Sequence, residues 1–356
     1  MSTGHCQLPQ IRQQVGLALE EFLDRQRVVL GGMGPELLPW LDAIAALLAG
    51  GKRLRSAFCY WGWRAAGGPD APQIYPAAAA LELLHASALV HDDLIDGSDT
   101  RRGRPSVHRQ FAARHAENGW RGPAGAFGDG TAILVGDMLL GWTDELLADS
   151  GLEPPALRRA QSVLYAMRAE LIGGQYLDLL GQAAGDGSVA EALRVIRYKT
   201  ASYTVARPLQ LGAALARPAN GPVVAACRGY GVPLGVAFQL RDDVLGAFGD
   251  PARTGKPSGD DLREGKRTVL VAIARGRATP AQRRVLDARL GDPRLDAPGV
   301  AEVRAVITGT GALAECERMI ESNVAEALRA LQDAPFPGQA REALAELAVI
   351  ATARND

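Results

Sequence analysis

Apolar residues recur at helical spacing along most of the chain. The spacing predicts helices over 37–49 (LLPWLDAIAALLA), 74–96 (IYPAAAALELLHASALVHDDLID), 157–180 (LRRAQSVLYAMRAELIGGQYLDLL) and 341–354 (REALAELAVIATAR). Alternating β-branched runs bounded by hairpin turns are hardly visible, so the fold class is all-α. Clusters of Gly and Pro at 50–51, 67–72, 118–130 and 249–261 are expected between helices. No fixed-period repeat, low-complexity tract or dividing linker is present. Residues 1–9 read as a flexible start and 10–356 as a single domain, although 356 residues could by length accommodate two.

Two helical patterns, the one at 74–96 and a further one at 236–250, run from apolar residues directly into paired acids. In LVHDDLID, Asp92 and Asp96 are i,i+4 and share one face, with Asp93 beside them and His85 two turns earlier on the same side. Like charges so placed repel. They suit hard divalent cations, because Mg²⁺ often sits between one or two carboxylates and a substrate's phosphates. The second pattern, VAFQLRDDVLGAFGD (236–250), carries Asp242 and Asp243, with Gln239 about one turn before. Two acidic helices some 150 residues apart can form facing carboxylate walls of one cavity, as in helical cores that hold metal ions.

Global charge adds little: Lys+Arg 39 against Asp+Glu 40 gives a net charge of -1, so no overall field points to nucleic acid or an anionic membrane. Any basic site must be local, and four basic stations stand out. GGKRLR (50–55) places Lys52 and Arg55 near a helix start, where backbone N–H groups already favour an anion. RRGRP (101–105) contributes Arg101 and Arg102, YKTASY (198–203) contributes Lys199, and GKPSGDDLREGKRT (255–268) contributes Lys256 and Lys266. The set suggests two diphosphate pockets, one bridged by metal and one held by Lys and Arg alone. Cys6, Cys59, Cys227 and Cys316 form no CxxC pair and read as reduced thiols of a cytoplasmic protein. No uninterrupted stretch of about 18 apolar residues occurs, so no membrane span is expected.

In this order, GGKRxR, HxxxLxHDDxxDxxxxRRGxP, GQxxD, KT, FQxxDD and GKxxGDDLREGKxT resemble the trans-isoprenyl diphosphate synthases, or polyprenyl synthetases, over nearly the whole chain. The resemblance implies a single large helical bundle around a deep central cavity (the isoprenoid synthase fold), a homodimer, and Mg²⁺ as cofactor with three ions per site. It implies that Asp92, Asp96 and Asp242 ligate Mg²⁺, that Asp93 and Asp243 support them, and that Arg101, Lys199 and Lys256 bind the allylic diphosphate, which Gln239 also faces. Lys52, Arg55, His85 and Arg102 would hold isopentenyl diphosphate. Gln175 and Asp178 would stand on the cavity wall, and Thr200 follows Lys199 as in the family. One departure is Gly246, where many members carry a third Asp; Asp250 comes a turn later.

The implied reaction is a head-to-tail condensation of isopentenyl diphosphate with dimethylallyl, geranyl or farnesyl diphosphate. Short-chain members tend to carry a bulky aromatic at the fifth position before the first acidic motif. Here that position is Ser87, followed by Ala88, so the floor is open at that level. A blocker one turn deeper, Leu84 or Leu81, gives an expected C20 product, geranylgeranyl diphosphate, with C25 or longer as the alternative. A class I terpene cyclase would share the metal chemistry but not need the metal-free pocket. An HD-type phosphohydrolase would leave the basic stations without a role. A non-catalytic subunit of a heteromeric synthase would usually lack an acidic motif.

Overall fold

Apolar spacing near 3.6 residues dictates helices, and helices make up nearly all of the regular structure. The computed structural model describes residues 6–184, 187–218, 221–249 and 259–353. Helices α1 (Leu8–Met33), α2 (Leu38–Leu48), α3 (Leu54–Ala65) and α4 (Ile74–Ile95) come first, with a 3₁₀ turn (Pro35–Leu37) before α2. Strands β1 (Thr100–Arg101) and β2 (Arg104–Pro105) form a two-residue hairpin. Helices α5 (Val107–Glu117), α6 (Ala124–Ala148), α7 (Pro154–Ala184) and α8 (Val189–Val195) follow. A π-helical segment (Ile196–Ala206) then continues without a break into α9 (Arg207–Ala216). The rest is α10 (Gly221–Phe248), α11 (Asp260–Arg263), α12 (Val269–Arg277), α13 (Pro280–Arg289), α14 (Ala297–Gly309), α15 (Ala312–Gln332) and α16 (Gly338–Thr352).

Two apolar clusters organise the interior. The larger gathers α1 to α7, α9 and α16 around Phe22, Phe58, Trp61 and Leu83; the smaller gathers α12 to α15 around Val269, Leu286, Val303 and Ile307. Helix α10 enters both, with Tyr230 and Leu234 in the first and Leu240 and Val244 in the second. It therefore carries Asp242 to the seam between them. By length and composition α10 could cross a membrane, but half of its apolar window is buried inside the chain, as in a core helix.

The structure departs from sequence expectation in three places. Residues 6–9 are held more tightly than expected: α1 begins at Leu8, and Cys6 is buried with its amide donating to Glu346 Oε2 at 2.8 Å. Trp61 Nε1 also donates to the Cys6 carbonyl at 2.8 Å, which pins residues 6–9 against α3. The expected loop at 118–130 is helical from Ala124, because Phe127 packs against His115 and Trp120 at ring distances of 5.2 and 5.3 Å. Tertiary packing here overrides the poor helix propensity of glycine. Finally, RRGRP is a hairpin, with Arg102 (φ 54°) and Gly103 (φ 73°) taking the two positive-φ positions that a tight two-residue turn requires.

Candidate active site

Helix α4 brings His85, Ser87, Ala88 and Asp92 to one wall of a cavity of about 630 Å³. Facing them are Gln175 and Asp178 from α7, Lys199, Thr200 and Tyr203 from the π-helical segment, and Gln239, Asp242 and Asp243 from α10. Arg55 and Lys266 also line the cavity. The two acidic helices thus share one hollow. Lys52, Asp96, Arg101, Arg102 and Leu81 do not line it, while Lys256 and Asp250 lie outside the described residues. A second hollow, of about 680 Å³ beside α11 and α14, is lined by Arg263, Val300 and Arg304 among others, with no acidic side chain among the described lining residues.

Lys199 occupies the centre of the acidic side. Its Nζ donates to Asp178 Oδ2 at 2.7 Å and to Asp92 Oδ1 at 3.2 Å. Gly174 makes this possible: a Cβ there would run into the Lys199 backbone, so α7 approaches closely and Asp178, one turn on, reaches the amine. The wide helical turn at Ile196–Ala206 is a feature often met at functional sites. Burial alone would lower the Lys199 pKa, but Asp92 and Asp178 outweigh it and raise it, so the ammonium persists at neutral pH.

Lys266 does the same for the other acids. Its Nζ is 2.7 Å from Glu264, 3.4 Å from Asp261 and 4.0 Å from Asp96. Asp261 lies over Gly246, where a Cβ would meet its carboxylate. The space that a third motif aspartate would fill is taken by an acid from α11. Asp93 is turned away from the hollow into the interior, where Arg101 Nε donates to it at 2.9 Å and Arg101 Nη2 completes a forked pair. Gln239 Nε2 donates to Asp243 Oδ1 at 2.8 Å.

The acidic side carries more negative charge than its lysines neutralise. Burial, reinforced by Asp92, pushes Asp96 up to about 6. Burial also pushes Asp243 up to about 8, with Asp261 and Asp242 adding to the rise against the Gln239 hydrogen bond. A cation bound here would relieve that repulsion and release protons near neutral pH. The donors are all carboxylate oxygens, the hard ligands Mg²⁺ prefers. Among the described residues, no three potential ligand side chains converge on one point. This suits an ion that keeps waters and takes its remaining ligands from phosphate.

At the basic end, Arg55 Nη2 donates to Thr204 Oγ1 at 2.9 Å, and its guanidinium stacks 4.3 Å from the Tyr203 ring centre. Its Nε is buried without a partner, which is costly unless a ligand accepts from it. The Tyr203 hydroxyl lies 3.0 Å from His85 Nδ1. Burial, then the field of Arg55, Arg102, Arg101 and Arg53, holds His85 well below its usual pKa, so the imidazole is neutral. Arg102 is committed to the backbone, donating to the carbonyls of Leu47 at 2.6 Å and Gly50 at 2.8 Å. Sequence reasoning had assigned no role to Tyr203, Asp261 or Arg53. Tyr203 was within reach of it, since it follows Lys199 at i+4.

Acid-bearing helices sharing a partly apolar hollow with an arginine whose Nε is buried without a partner define an all-α enzyme that handles diphosphates. Residues 39–307 match the Polyprenyl synthetase family. The geranylgeranyl diphosphate synthase of Mycobacterium tuberculosis is 33% identical over 341 residues, spanning 93% of this chain and 89% of the relative. The geranylfarnesyl diphosphate synthase of Aeropyrum pernix is 35% identical over 269 residues, 74% of this chain and 78% of the relative. Among solved structures, a geranylgeranyl pyrophosphate synthase from Corynebacterium glutamicum, complexed with isoprenyl diphosphate and magnesium, superposes with a TM-score of 0.94. It is 41% identical, and the match covers 98% of this chain and 99% of that one. The chain belongs to the polyprenyl synthetase family and is a trans-prenyltransferase.

Proposed function

We propose that this chain condenses isopentenyl diphosphate with an allylic diphosphate, with Mg²⁺ as cofactor, and releases geranylgeranyl diphosphate (C20). The observation that carries the reading is a single cavity holding Asp92 and Asp242, Arg55 with its unpartnered Nε, and an apolar wall that includes Leu84, Leu140, Leu171 and Phe238. Asp92 and Asp242, which line the cavity, and Asp96, 4.0 Å from the lining Lys266, are the residues to hold Mg²⁺, in three ions by this reading. Bound there, the metal would neutralise the departing diphosphate.

The chain's own groups do the rest. Lys199 keeps its proton and offers a cationic donor beside Asp92. Arg55, with Tyr203 and neutral His85 around it, receives the isopentenyl diphosphate. The apolar wall excludes water while the allylic cation exists, so that it is not quenched to an alcohol. The isopentenyl double bond forms the new C–C bond, and the proton lost from the adduct goes to the released diphosphate.

Product length follows from the floor of the cavity. Ser87 and Ala88 line it and leave the first level open, and Leu84 lines it one turn deeper. A helical turn rises about 5.4 Å, comparable to one isoprene unit. The C20 relatives support this length, whereas the Aeropyrum protein would favour a C25 product. We also propose a homodimer in the cytoplasm. Ile133 and Leu134 on α6 and Tyr165 and Leu180 on α7 are exposed apolar side chains outside the cavity lining that a second copy would cover. All four cysteines are free and buried, as suits a reducing compartment.

Incubating the purified chain with Mg²⁺, isopentenyl diphosphate and each allylic primer, then sizing the products, tests the proposal. Geranylgeranyl diphosphate is the expected end point. Accumulation of farnesyl diphosphate under excess isopentenyl diphosphate would contradict the length assignment. No condensation with any primer would contradict the function itself.

A further inference from the structure

Arg53 lies between Lys52 and Arg55 yet does not line the cavity. It is the residue before α3, and its backbone is left-handed, with φ 53° and ψ 32°. A non-glycine residue in that conformation is strained unless its surroundings hold it. Its guanidinium is fixed at two points. Nη1 donates to Glu82 Oε2 at 2.9 Å, and Nη2 donates to the Leu48 carbonyl at the end of α2. The ion-paired side chains are only 9% and 5% exposed. Ser56 Oγ, one turn into α3, lies 2.8 Å from the other Glu82 oxygen.

Glu82 stands on α4, three residues before His85 and ten before Asp92. The pair therefore ties the basic turn to the helix that carries the first acids. Roughly 15 Å of helix separates Glu82 from Asp92 at 1.5 Å per residue. The direction in which the chain leaves Lys52 and enters α3, and so where Arg55 stands, is set by the left-handed residue that this pair clamps. Condensation requires the isopentenyl double bond to meet the allylic carbon at near-attack distance, and small displacements of a held substrate are costly.

We infer that the buried Arg53–Glu82 pair is a positioning device for the isopentenyl diphosphate site. It fixes the register of Lys52 and Arg55 against the acidic helix α4 without touching substrate. The inference rests on the reading of Arg55 as part of that site.

The test compares steady-state kinetics and melting temperature for the wild type, Arg53→Gly, Arg53→Lys, Glu82→Gln and the double variant Arg53→Gly with Glu82→Met. Glycine accepts the left-handed backbone but removes the clamp. The double variant leaves neither charge of the pair buried without its partner, so it is expected to fold even if the single variants do not. The expected result is a KM for isopentenyl diphosphate raised about tenfold in the double variant, with the allylic KM changed less than about twofold. Arg53→Lys, which keeps the charge pair, should recover part of the loss. If the two KM values move together, or if only the melting temperature falls, the pair is merely structural and the inference is overturned. A wild type that makes no polyprenyl product would overturn the reading of the whole site, and this inference with it.

Discussion

Asp92→Asn is expected to lower kcat by about a thousandfold while the chain folds normally. Asparagine keeps the shape of the side chain but cannot carry the charge that a divalent ion needs. Loss of one preorganised group that stabilises a departing anion typically costs 10²–10³ in kcat, and a metal ligand serves more than one oxygen. The fold should survive because Lys199 keeps Asp178 at 2.7 Å when its 3.2 Å contact with Asp92 is lost. Single-turnover rates and thermal melts on the same preparation check both halves. A kcat within tenfold of wild type would show that the α4 acids do not support departure of the diphosphate.

Ser87→Phe is expected to move the product from C20 to C15 with little change in the rate of the first condensation. Ser87 is only 3% exposed but lines the cavity beside Ala88, on the helix that carries Asp92. A phenyl ring there closes the floor above Leu84, and a chain that has reached the ring has no room for another five carbons. Overpacking of a filled core costs about 1–3 kcal/mol, but this ring enters an existing hollow, so the melting temperature should change little. Ser87→Ala is the control and should leave product length unchanged. Chromatography of the dephosphorylated products decides the matter, and an unaltered distribution would place the floor elsewhere.

Most of the helical architecture was readable from residue spacing because long amphipathic segments report their own period. The apolar run into Asp92 and Asp96 became α4 within a residue of its expected end, and the run into Asp242 became the end of α10. Their convergence on one cavity followed from the chemistry of paired acids, which have little reason to stand at the end of a buried helix unless something cationic meets them. What could not be read depends on contacts distant in sequence. The clamp between Arg53 and Glu82 joins residues 29 apart, and the Arg55 hydrogen bond to Thr204 joins residues 149 apart. The π-helical turn at Lys199 is a hydrogen-bond register that packing against Gly174 accompanies and residue type does not announce. Gly246 stands where a third acid is expected, and Asp261, fifteen residues on, occupies the space above it. A glycine records the space it leaves, not the group that enters it.

One end of the cavity is to grip its diphosphate through metal, and the other, around Arg55, without it. Calorimetric titration of farnesyl diphosphate and of isopentenyl diphosphate, each alone, with Mg²⁺ and then with excess chelator, tests it directly. Chelation should abolish binding of farnesyl diphosphate and leave binding of isopentenyl diphosphate unchanged. Equal loss of both, or equal persistence of both, would contradict it.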